Sequence, residues 1–525
     1  MSGPRVVESD VCIIGSGISA AMVAEKLAEE RNATIVVVEA GAESDRLGQR
    51  TALRRRFLDY GESPWRNDHL DGYDVDGIQS RSMQVGGLAM HWGGVTPRFS
   101  PEDFKVKSLY GVGHDWPLSY EDLDPWYQEA EVRMGVGGEQ GPPDMDPRGK
   151  PFPLPAIPLS HNLLQLRDWV TKAGIAMWSQ PSAKNPVPYR GRPACCRNDT
   201  CSPVCPIGAK YSPDFTWDAL RKSGRATLHT RTMVRRLVKD GSGRITHATA
   251  RALDGGADLE YRARTFVVAG GYVWSSHLLL LSGLANSSGL VGKYLTGHRN
   301  VSGFVSLPLR LYPGMNTQHS LVSKQFMRVP RSDRYLRHDL RVWESSFGRE
   351  PRLADDQGKL LLGDELLADW RRRTATGTAR VRAYYDVIPD RESALSLDTA
   401  KRTAWGDPLP KLAWRDAPES AALQEWSEGR IRVLFADLAR AGGGTLLTTR
   451  SDSFQDHPAG GCRMGDDPAM SVTDSWGRTH DHENLFVAGA PTCVTGGCAN
   501  GTLTFCALAL RTAAKIGEGL RSRAH

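Results

Sequence analysis

The apolar pattern near the N-terminus predicts a strand, a tight turn, a helix and a second strand. Residues 11–14 form a short apolar run, residues 21–30 have helical spacing, and residues 34–38 are mostly β-branched. Residues 15–20, Gly-Ser-Gly-Ile-Ser-Ala, connect the first strand to the helix. Because two strands joined by a helix form a right-handed unit, this segment predicts one βαβ unit.

Later segments extend this pattern. Residues 226–268 are rich in strand-forming residues, and a helical pattern follows at 273–281. Residues 484–490 predict a buried strand that enters a glycine turn, and an apolar helix opens at 500–502. Residues 301–448 alternate strand-like and helical pieces. The expected fold class is α/β (α+β overall), with a Rossmann-like domain and a second domain that has a large β-sheet flanked by helices.

Length and charge limit the possible functions. A chain of 525 residues exceeds the size at which one core stops growing, so we expect at least two domains. The net charge of +6 is small for this length, and the basic residues form only short runs such as 54–56. We therefore exclude a nucleic-acid function.

The distribution of apolar residues does not predict a membrane span. The longest apolar runs, such as 278–281, are too short to cross a bilayer, so we do not expect an integral membrane protein. Residues 1–8 carry neither an apolar signal core nor a twin-arginine pair. We expect a cytoplasmic protein, or one that is exported with a partner subunit carrying the signal.

Residues 15–20 match the G-x-G-x-x-A form of the dinucleotide-binding fingerprint. Gly15 allows the turn, Gly17 lets the backbone approach a diphosphate, and the small Ala20 lets helix and strand pack. The diphosphate is then expected at the helix N-terminus. Glu39 ends the second strand, where a carboxylate can accept the adenosine ribose hydroxyls. A glycine-rich turn without a cofactor is the alternative, but strand, helix, second strand and acid all occur in the expected order.

Four of the nine cysteines lie in one short loop, at Cys195, Cys196, Cys201 and Cys205. Pro206 follows the last of them. Three or four thiolates in one loop can hold a small inorganic cluster. A pair of disulfides, if the protein is exported, and a zinc site are the alternatives.

The sequence resembles the glucose-methanol-choline (GMC) oxidoreductases over nearly its whole length. The segments that carry the resemblance are residues 85–92, 115–123, 286–292, 457–465 and the C-terminal stretch from 484 to 502. Within the family, the chain is most similar to the catalytic subunits of bacterial FAD-dependent glucose, gluconate and fructose dehydrogenases. Pyranose and glycoside oxidases are the next most similar group.

The resemblance implies two discontinuous domains and a set of FAD contacts. The FAD-binding domain would comprise residues 1–100, 205–300 and 450–525, and the substrate-binding domain residues 101–204 and 301–449, with the cysteine-rich loop at 195–205. Gly15, Gly17 and Glu39 would hold the ADP half of FAD, and Val234 would offer its backbone to the adenine. Gly489 and Ala490 would lie near the diphosphate and the ribityl chain, and residues 500–502 beside the flavin. The implied FAD-binding residues are Gly15, Gly17, Ala20, Glu39, Gly87, His91, Val234, Gly489, Ala490 and Thr502.

Electrostatics favour a position beside the flavin for the helix that begins after Asn500. A helix N-terminus aimed at flavin N1 and O2 stabilises negative charge on the ring. An ordinary capped helix is the alternative. In pyranose oxidases, a histidine at the position of His91 is bonded to the flavin, and a threonine follows the His-Trp pair. Since Gly93 replaces that threonine, we expect non-covalent FAD.

Alcohol oxidation needs a base that titrates near neutrality and a second group that holds the oxygen. His457 and Asn500 match the catalytic pair of the family, which implies that His457 is the base and Asn500 orients the oxygen. The alternative is that His457 is a structural residue of the core, with its hydrogen bonds made to other protein groups. The spacing of Cys195, Cys201 and Cys205 resembles the loop that ligates a 3Fe-4S cluster in the glucose dehydrogenase catalytic subunit.

The function expected from these observations is FAD-dependent oxidation of a hydroxyl group of a sugar, glycoside or polyol. Hydride passes to flavin N5, and the electrons then pass to a quinone, a cytochrome or a small partner subunit. One alternative is a pyranose or glycoside oxidase that uses O2 and produces H2O2. Another is a flavin electron-transfer subunit without alcohol chemistry.

Overall fold

The secondary structure comes from a computed structural model. It describes residues 4–30, 33–43, 47–65, 68, 70, 72, 73, 75, 77, 82–312, 319–328, 337–345, 351–355, 357–416, 418–452 and 456–522. The strands, in chain order, are β1 Arg5–Ile14, β2 Ile35–Val38, β3 Trp178–Ser179, β4 Thr227–His229, β5 Thr232–Lys239, β6 Ile245–Ala252, β7 Asp258–Val268, β8 Thr296–Leu307, β9 Leu321–Ser323, β10 His338–Glu344, β11 Gly377–Asp386, β12 Ala394–Arg402, β13 Pro408–Ala413, β14 Thr445–Ser451, β15 Asp456–Ala459 and β16 Leu485–Val487. The helices are α1 Ile18–Leu27, α2 Arg50–Tyr60, α3 Val106–Tyr110, α4 Tyr120–Met134, α5 His161–Lys172, α6 Pro213–Lys222, α7 Gly271–Ser282, α8 Gly363–Thr374, α9 Pro418–Ala441 and α10 Thr502–Ser522.

The first sheet has the strand order β4-β2-β1-β7-β6-β5, and β16 also pairs with β7. Its centre is parallel, whereas β5, β6 and β7 pair antiparallel. Val11 and Ile13 of β1 pack with α1 and α10 on one face, and Cys12 and Ile14 pack with α7 on the other. Burial on both faces is what a central parallel strand requires. The predicted βαβ unit is confirmed as β1, α1 and β2.

The second sheet has the strand order β14-β8-β11-β10-β9-β3, and β15 also pairs with β8. Its two faces differ in chemistry because side chains alternate along each strand. Val301, Val305 and Val381 point to an apolar core that α5 and α9 cover. The opposite face carries polar side chains, among them His298 of β8 and Tyr384 of β11. This polar face is the side on which the candidate site lies. Strands β12 and β13 form a separate pair.

The α/β fold with a large second sheet is confirmed, and the domain boundaries stay a prediction. Strand β8 runs across the predicted boundary at residue 300, and β15 joins the second sheet although it lies within 450–525. Helix α4, within the predicted segment 101–204, packs into the core on the α1 and α10 side of the first sheet. Among the described residues, no helix has the length and apolar composition needed to cross a membrane.

Candidate active site

A cavity of about 590 Å³ opens at the carboxyl ends of β1 and β2. This volume lies within the range of small-molecule and cofactor sites. Many residues singled out from the sequence form its wall. They are Gly15, Gly17, Glu39, Gly87, His91, Val234, His457, Ala490 and Thr502.

The glycine turn between β1 and α1 forms one end of this cavity. Gly15 has φ 98°, and a Cβ there would lie 2.7 Å from the carbonyl oxygen of Ala269. Gly17 caps α1 without a side-chain hydrogen bond, so the first N–H groups of the helix have no side-chain partner at the cavity wall. Ala20 is fully buried between α1 and the sheet. The N-terminus of α1 therefore faces the cavity without a side-chain cap from Gly17, which suits an anion such as a diphosphate.

Glu39 follows β2 directly and is buried. Its Oε2 accepts from the backbone N of Ser16 at 2.9 Å and from Ser16 Oγ at 2.7 Å, and its Oε1 accepts from the backbone N of Gly41 at 2.7 Å. Burial raises the pKa of Glu39, and the hydrogen bonds from Ser16 and Gly41 only partly oppose this. The carboxylate thus ties the glycine turn to the end of β2 at the cavity wall.

The C-terminal residues of the predicted set lie on or directly behind the same wall. Gly489 packs against Ser19, since a Cβ at Gly489 would lie 2.0 Å from Ser19 Oγ. Ala490 follows and lines the cavity, as does Thr502, the first residue of α10. Asn500 is not part of the wall but contacts a wall residue, as shown below.

His91 lies at the wall in the loop that follows a short 3-10 turn, Gly87–Met90. Its Nε2 is 2.9 Å from Asp68 Oδ2 and 3.3 Å from Gln84 Nε2. Burial lowers the pKa of His91, and the Asp68 carboxylate opposes this. The Nε2 atom is therefore already engaged by protein groups.

His457 and Asn500 are brought together at the cavity. The Nδ2 atom of Asn500 lies 2.9 Å from Nε2 of His457. Asn500 is buried, and its Oδ1 has no hydrogen-bond partner within the part of the chain that the structure describes. The two side chains of the predicted pair are therefore in direct contact beside the cavity.

His298 is a member of this site that the sequence analysis missed. Its Nε2 lies 3.0 Å from Nδ1 of His457, on the side of the ring away from Asn500. His298 is fully buried on β8, directly opposite Asp456 of β15 in the strand ladder. No local motif marks this histidine, because its position depends on the pairing of two strands that are distant in sequence.

The backbone around the pair fixes its geometry. The β15 ladder is irregular between Asp456 and Ala459, and His457 within this irregularity has φ 51°. Left-handed backbone at a non-glycine residue is uncommon and is often found at functional sites. The loop before Asn500 packs closely on β8, since a Cβ at Gly496 would lie 1.9 Å from the carbonyl oxygen of Gly297. The residue that precedes His298 thus supports the loop that carries Asn500.

The cysteine loop lies beside the cavity, and Ser202 belongs to the cavity wall. Cys201 and Cys205 are buried, Cys195 is half-buried and Cys196 is exposed. None of them forms a disulfide. Within the described residues, the one group of ligand atoms compact enough for a single metal ion lies elsewhere, at Asp103, Asp386 and Cys498.

A buried lysine connects the cysteine loop to the loop that carries His91. Lys210 Nζ donates to the carbonyl oxygens of Cys201 at 2.7 Å, Met90 at 3.3 Å and Trp92 at 2.5 Å. Its backbone N lies 3.5 Å from Cys205 Sγ. Burial lowers the pKa of Lys210 to about 7, although Cys201 and Cys205 oppose this.

Comparison with known proteins assigns the chain to a family. Residues 184–300 and 389–509 match models described as GMC oxidoreductase. The chain is 33% identical to the fructose dehydrogenase large subunit of Gluconobacter japonicus, over 98% of this chain and 99% of that protein. The chain belongs to the GMC oxidoreductase family. It is also 30% identical to paromamine 6'-oxidase of Streptomyces fradiae, over 98% of this chain and 92% of that protein.

Solved structures show the same fold for this GMC oxidoreductase. Pyridoxine 4-oxidase from Mesorbium loti aligns with a TM-score of 0.61 at 17% identity, over 97% of this chain and 99% of that chain. The enzyme is FAD-dependent, as the family implies. The residues present fit FAD, because the N-terminus of α1 faces the cavity without a side-chain cap from Gly17, as a diphosphate site needs, and the buried Glu39 carboxylate after β2 lines the same cavity.

Proposed function

We propose that this GMC oxidoreductase oxidises a hydroxyl group of a sugar, glycoside or polyol, with His457 as the base. The observation that carries the proposal is the 2.9 Å contact between His457 Nε2 and Asn500 Nδ2 beside the cofactor cavity. Similarity to a fructose dehydrogenase and to paromamine 6'-oxidase supports a sugar-type substrate.

The two side chains have separate roles in this proposal. FAD, when bound, supplies the hydride acceptor for the carbon–hydrogen bond. In this proposal a substrate hydroxyl displaces the direct contact between the two side chains: its oxygen accepts from Asn500 Nδ2, and its proton passes to His457 Nε2. Histidine suits the base because it titrates near neutral pH, whereas an amide cannot take up a proton there.

We propose that FAD is bound without a covalent link. His91 Nε2 already contacts Asp68 and Gln84. In addition, Gly93 replaces the threonine that follows the His-Trp pair in the pyranose oxidases with covalently bound flavin. Acid denaturation should then release all the flavin into the supernatant. Flavin that stays on the polypeptide, with a mass shift on the peptide containing His91, would contradict this.

We also propose that Cys195, Cys201 and Cys205 hold an iron-sulfur cluster of the 3Fe-4S type, which would supply a path for electrons to a quinone, a cytochrome or a small partner subunit. The buried Lys210 contacts this loop directly: its Nζ donates to the carbonyl oxygen of Cys201 at 2.7 Å, and its backbone N lies 3.5 Å from Cys205 Sγ. Burial lowers the pKa of Lys210 to about 7, and the negative charge of thiolates bound to a cluster would favour the charged form of this lysine.

Two other functions remain as outcomes of the test. An oxidase would return electrons to O2 and form H2O2. A flavin electron-transfer subunit would carry no alcohol chemistry, and the His457–Asn500 contact would then have no role.

The test mixes the purified flavoprotein anaerobically with a panel of sugars, sugar acids, glycosides and polyols, and follows the visible flavin absorbance. Bleaching by at least one of these substrates supports the proposal, and bleaching by none of them contradicts it. Product identification by NMR then gives the oxidised carbon. Peroxide formation in air, compared with reduction of an artificial dye, separates oxidase from dehydrogenase.

A further inference from the structure

His298 lies behind the catalytic pair with none of its side chain exposed. The three side chains form a row in which Asn500 Nδ2 contacts His457 Nε2 at 2.9 Å, and His457 Nδ1 contacts His298 Nε2 at 3.0 Å. The His298 ring also packs on Tyr384, with ring centroids 4.7 Å apart. The His457 ring is thus held from both of its nitrogen atoms.

The direction of these hydrogen bonds follows from donor chemistry. An amide nitrogen only donates, so Asn500 Nδ2 donates to His457 Nε2, which must be unprotonated. The neutral His457 ring then carries its hydrogen on Nδ1, and this hydrogen points to His298. His298 can complete the row only if its own Nε2 accepts.

The surroundings of His298 keep it uncharged. Burial lowers the pKa of His298 well below its usual range, and His457, Arg341 and Arg382 lower it further, while the Gly497 carbonyl opposes them. Arg341 and Arg382 lie on the neighbouring strands and both stack on the ring of Tyr384. Asp339 pairs with Arg341 at 2.8 Å, and Asp386, directly opposite His298 on β11, pairs with Arg337 at 2.6 Å, so both carboxylates already have a guanidinium partner.

We infer that His298 is a positioning residue that fixes His457 in the tautomer whose Nε2 can take the substrate proton, and that it acts as a neutral hydrogen-bond acceptor. The inference rests on the proposed function. When the substrate O–H bond breaks, the proton forms a bond to His457 Nε2, and the Nδ1 proton remains in place. His298 changes neither its charge nor its protonation, because the two guanidinium groups oppose a positive charge there.

A proton relay is the competing role, and it makes a different prediction. In a relay, the Nδ1 proton of His457 would move to His298 Nε2, so position 298 would need a group that titrates. A neutral acceptor could replace His298 in our proposal but not in a relay.

The experiment compares His298→Gln with His298→Leu. Glutamine can present a carbonyl oxygen close to the Nε2 position, whereas leucine removes the acceptor. We expect His298→Leu to reduce the rate of substrate-dependent flavin reduction by about 10- to 100-fold, the usual cost of removing the partner that orients a functional histidine. We expect His298→Gln to stay within a factor of a few of the parent.

The pH profile of kcat/KM separates a positioning role from a merely structural one, because only a positioning role predicts a shift of the acid limb. Without an acceptor at Nδ1, the His457 imidazolium is less stabilised, so the acid limb of the profile should move to lower pH in His298→Leu and return in His298→Gln. His338→Leu is the matched control, because His338 is buried on β10, stacks on Phe326, and has no hydrogen-bond partner within the described residues. Its pH profile should equal that of the parent.

An unchanged rate and pH profile in His298→Leu would overturn the inference, and so would equal loss in the leucine and glutamine variants. A second measurement does not depend on turnover. In ¹⁵N-histidine NMR of the parent flavoprotein, His457 should show the Nδ1-protonated tautomer, and His298 should stay neutral across the pH range in which the fold is intact. A protonated Nε2 on neutral His457 would overturn the inference. Absence of any oxidisable substrate would instead contradict the proposed function.

Discussion

The amide nitrogen of Asn500 lies 2.9 Å from Nε2 of His457, although 43 residues separate them in sequence. His457 comes from the irregular β15 ladder at the edge of the second sheet, whereas Asn500 lies two residues before the start of α10, which packs on the first sheet. The contact therefore joins elements of the two sheets. It forms at the wall of the cavity that begins at the glycine turn of β1.

We expect His457→Ala to keep its FAD but to lose alcohol oxidation by about two to four orders of magnitude, the usual contribution of a positioned base. Anaerobic flavin reduction by the best substrate of the panel measures this rate, and the flavin absorbance of the purified variant measures cofactor content. His161→Ala, at an exposed histidine on α5, is the control and should match the parent. Flavin reduction by His457→Ala at the parent rate would show that another residue is the base.

We expect Glu39→Gln to weaken FAD binding by at least about tenfold, because hydrogen bonds to a charged acceptor contribute about 1.5–3 kcal/mol each. In the variant, the amide NH2 of glutamine would face Ser16 or Gly41. These residues donate to Glu39 in the parent, so donor would face donor. The ratio of flavin to protein absorbance after gel filtration measures the loss. Glu43→Gln changes an exposed carboxylate that pairs with Arg221, and should retain FAD. Equal retention by both variants would exclude a role for Glu39 in cofactor binding.

The sequence predicted the cofactor end of the fold because its determinants are local. The glycine turn, the small Ala20 and the carboxylate after β2 lie within one βαβ unit. Gly15 has a positive φ, Ala20 is buried, and the buried Glu39 accepts a hydrogen bond from Ser16. The pair of His457 and Asn500 could be predicted because each residue lies in a family motif, and the structure has the two side chains in contact.

His298 could not be predicted, because its environment is made by strands far away in the chain. The first half of β8 is polar in sequence yet fully buried, since β11 and β15 supply its neighbours on both sides. His298 contacts His457, although 159 residues separate them in the sequence. Cysteine spacing alone likewise could not separate the exposed Cys196 from the buried Cys201 and Cys205.

A buried ion pair gives a pH-dependent prediction. Asp146 Oδ1 lies 2.8 Å from Lys324 Nζ, and both side chains are buried. Burial raises the pKa of Asp146, but Lys324, Arg148 and the backbone N–H of Gly141 together lower it more, so the folded pKa lies below the usual value. The pair therefore stabilises the fold above the unfolded pKa of about 4, and this contribution is lost as the pH falls through the folded pKa.

We expect Asp146→Asn to lose about 3 kcal/mol of the free energy of unfolding at neutral pH, since it leaves Lys324 buried without its counter-charge. Thermal unfolding midpoints measured from neutral pH into acid should show the gap between variant and parent narrowing below about pH 4. Asp168→Asn breaks the exposed pair with Lys172 and should cost less than about 1 kcal/mol. A gap that stays constant in acid would contradict the assignment.

The cysteine loop gives the last prediction, because the structure divides its four thiols into two groups. Cys201 and Cys205 are buried and Cys195 is half-buried, whereas Cys196 is exposed. If the first three thiols ligate iron and sulfide, Cys201→Ser should lose the iron, and Cys196→Ser should keep it. The cluster would lie beside the loop that carries His91, so its loss should impair electron delivery to a dye or a partner more than flavin reduction by substrate.

Iron and acid-labile sulfide in anaerobically purified protein measure the first effect, and the ratio of dye reduction to flavin reduction measures the second. The two variants differ by one thiol in the same loop, so general damage to the loop should affect both. Near-zero iron in a fully active parent would exclude the cluster. In that case Cys201→Ser should affect stability without changing the ratio of the two rates, because the loop would serve only to support the wall of the cavity at Ser202.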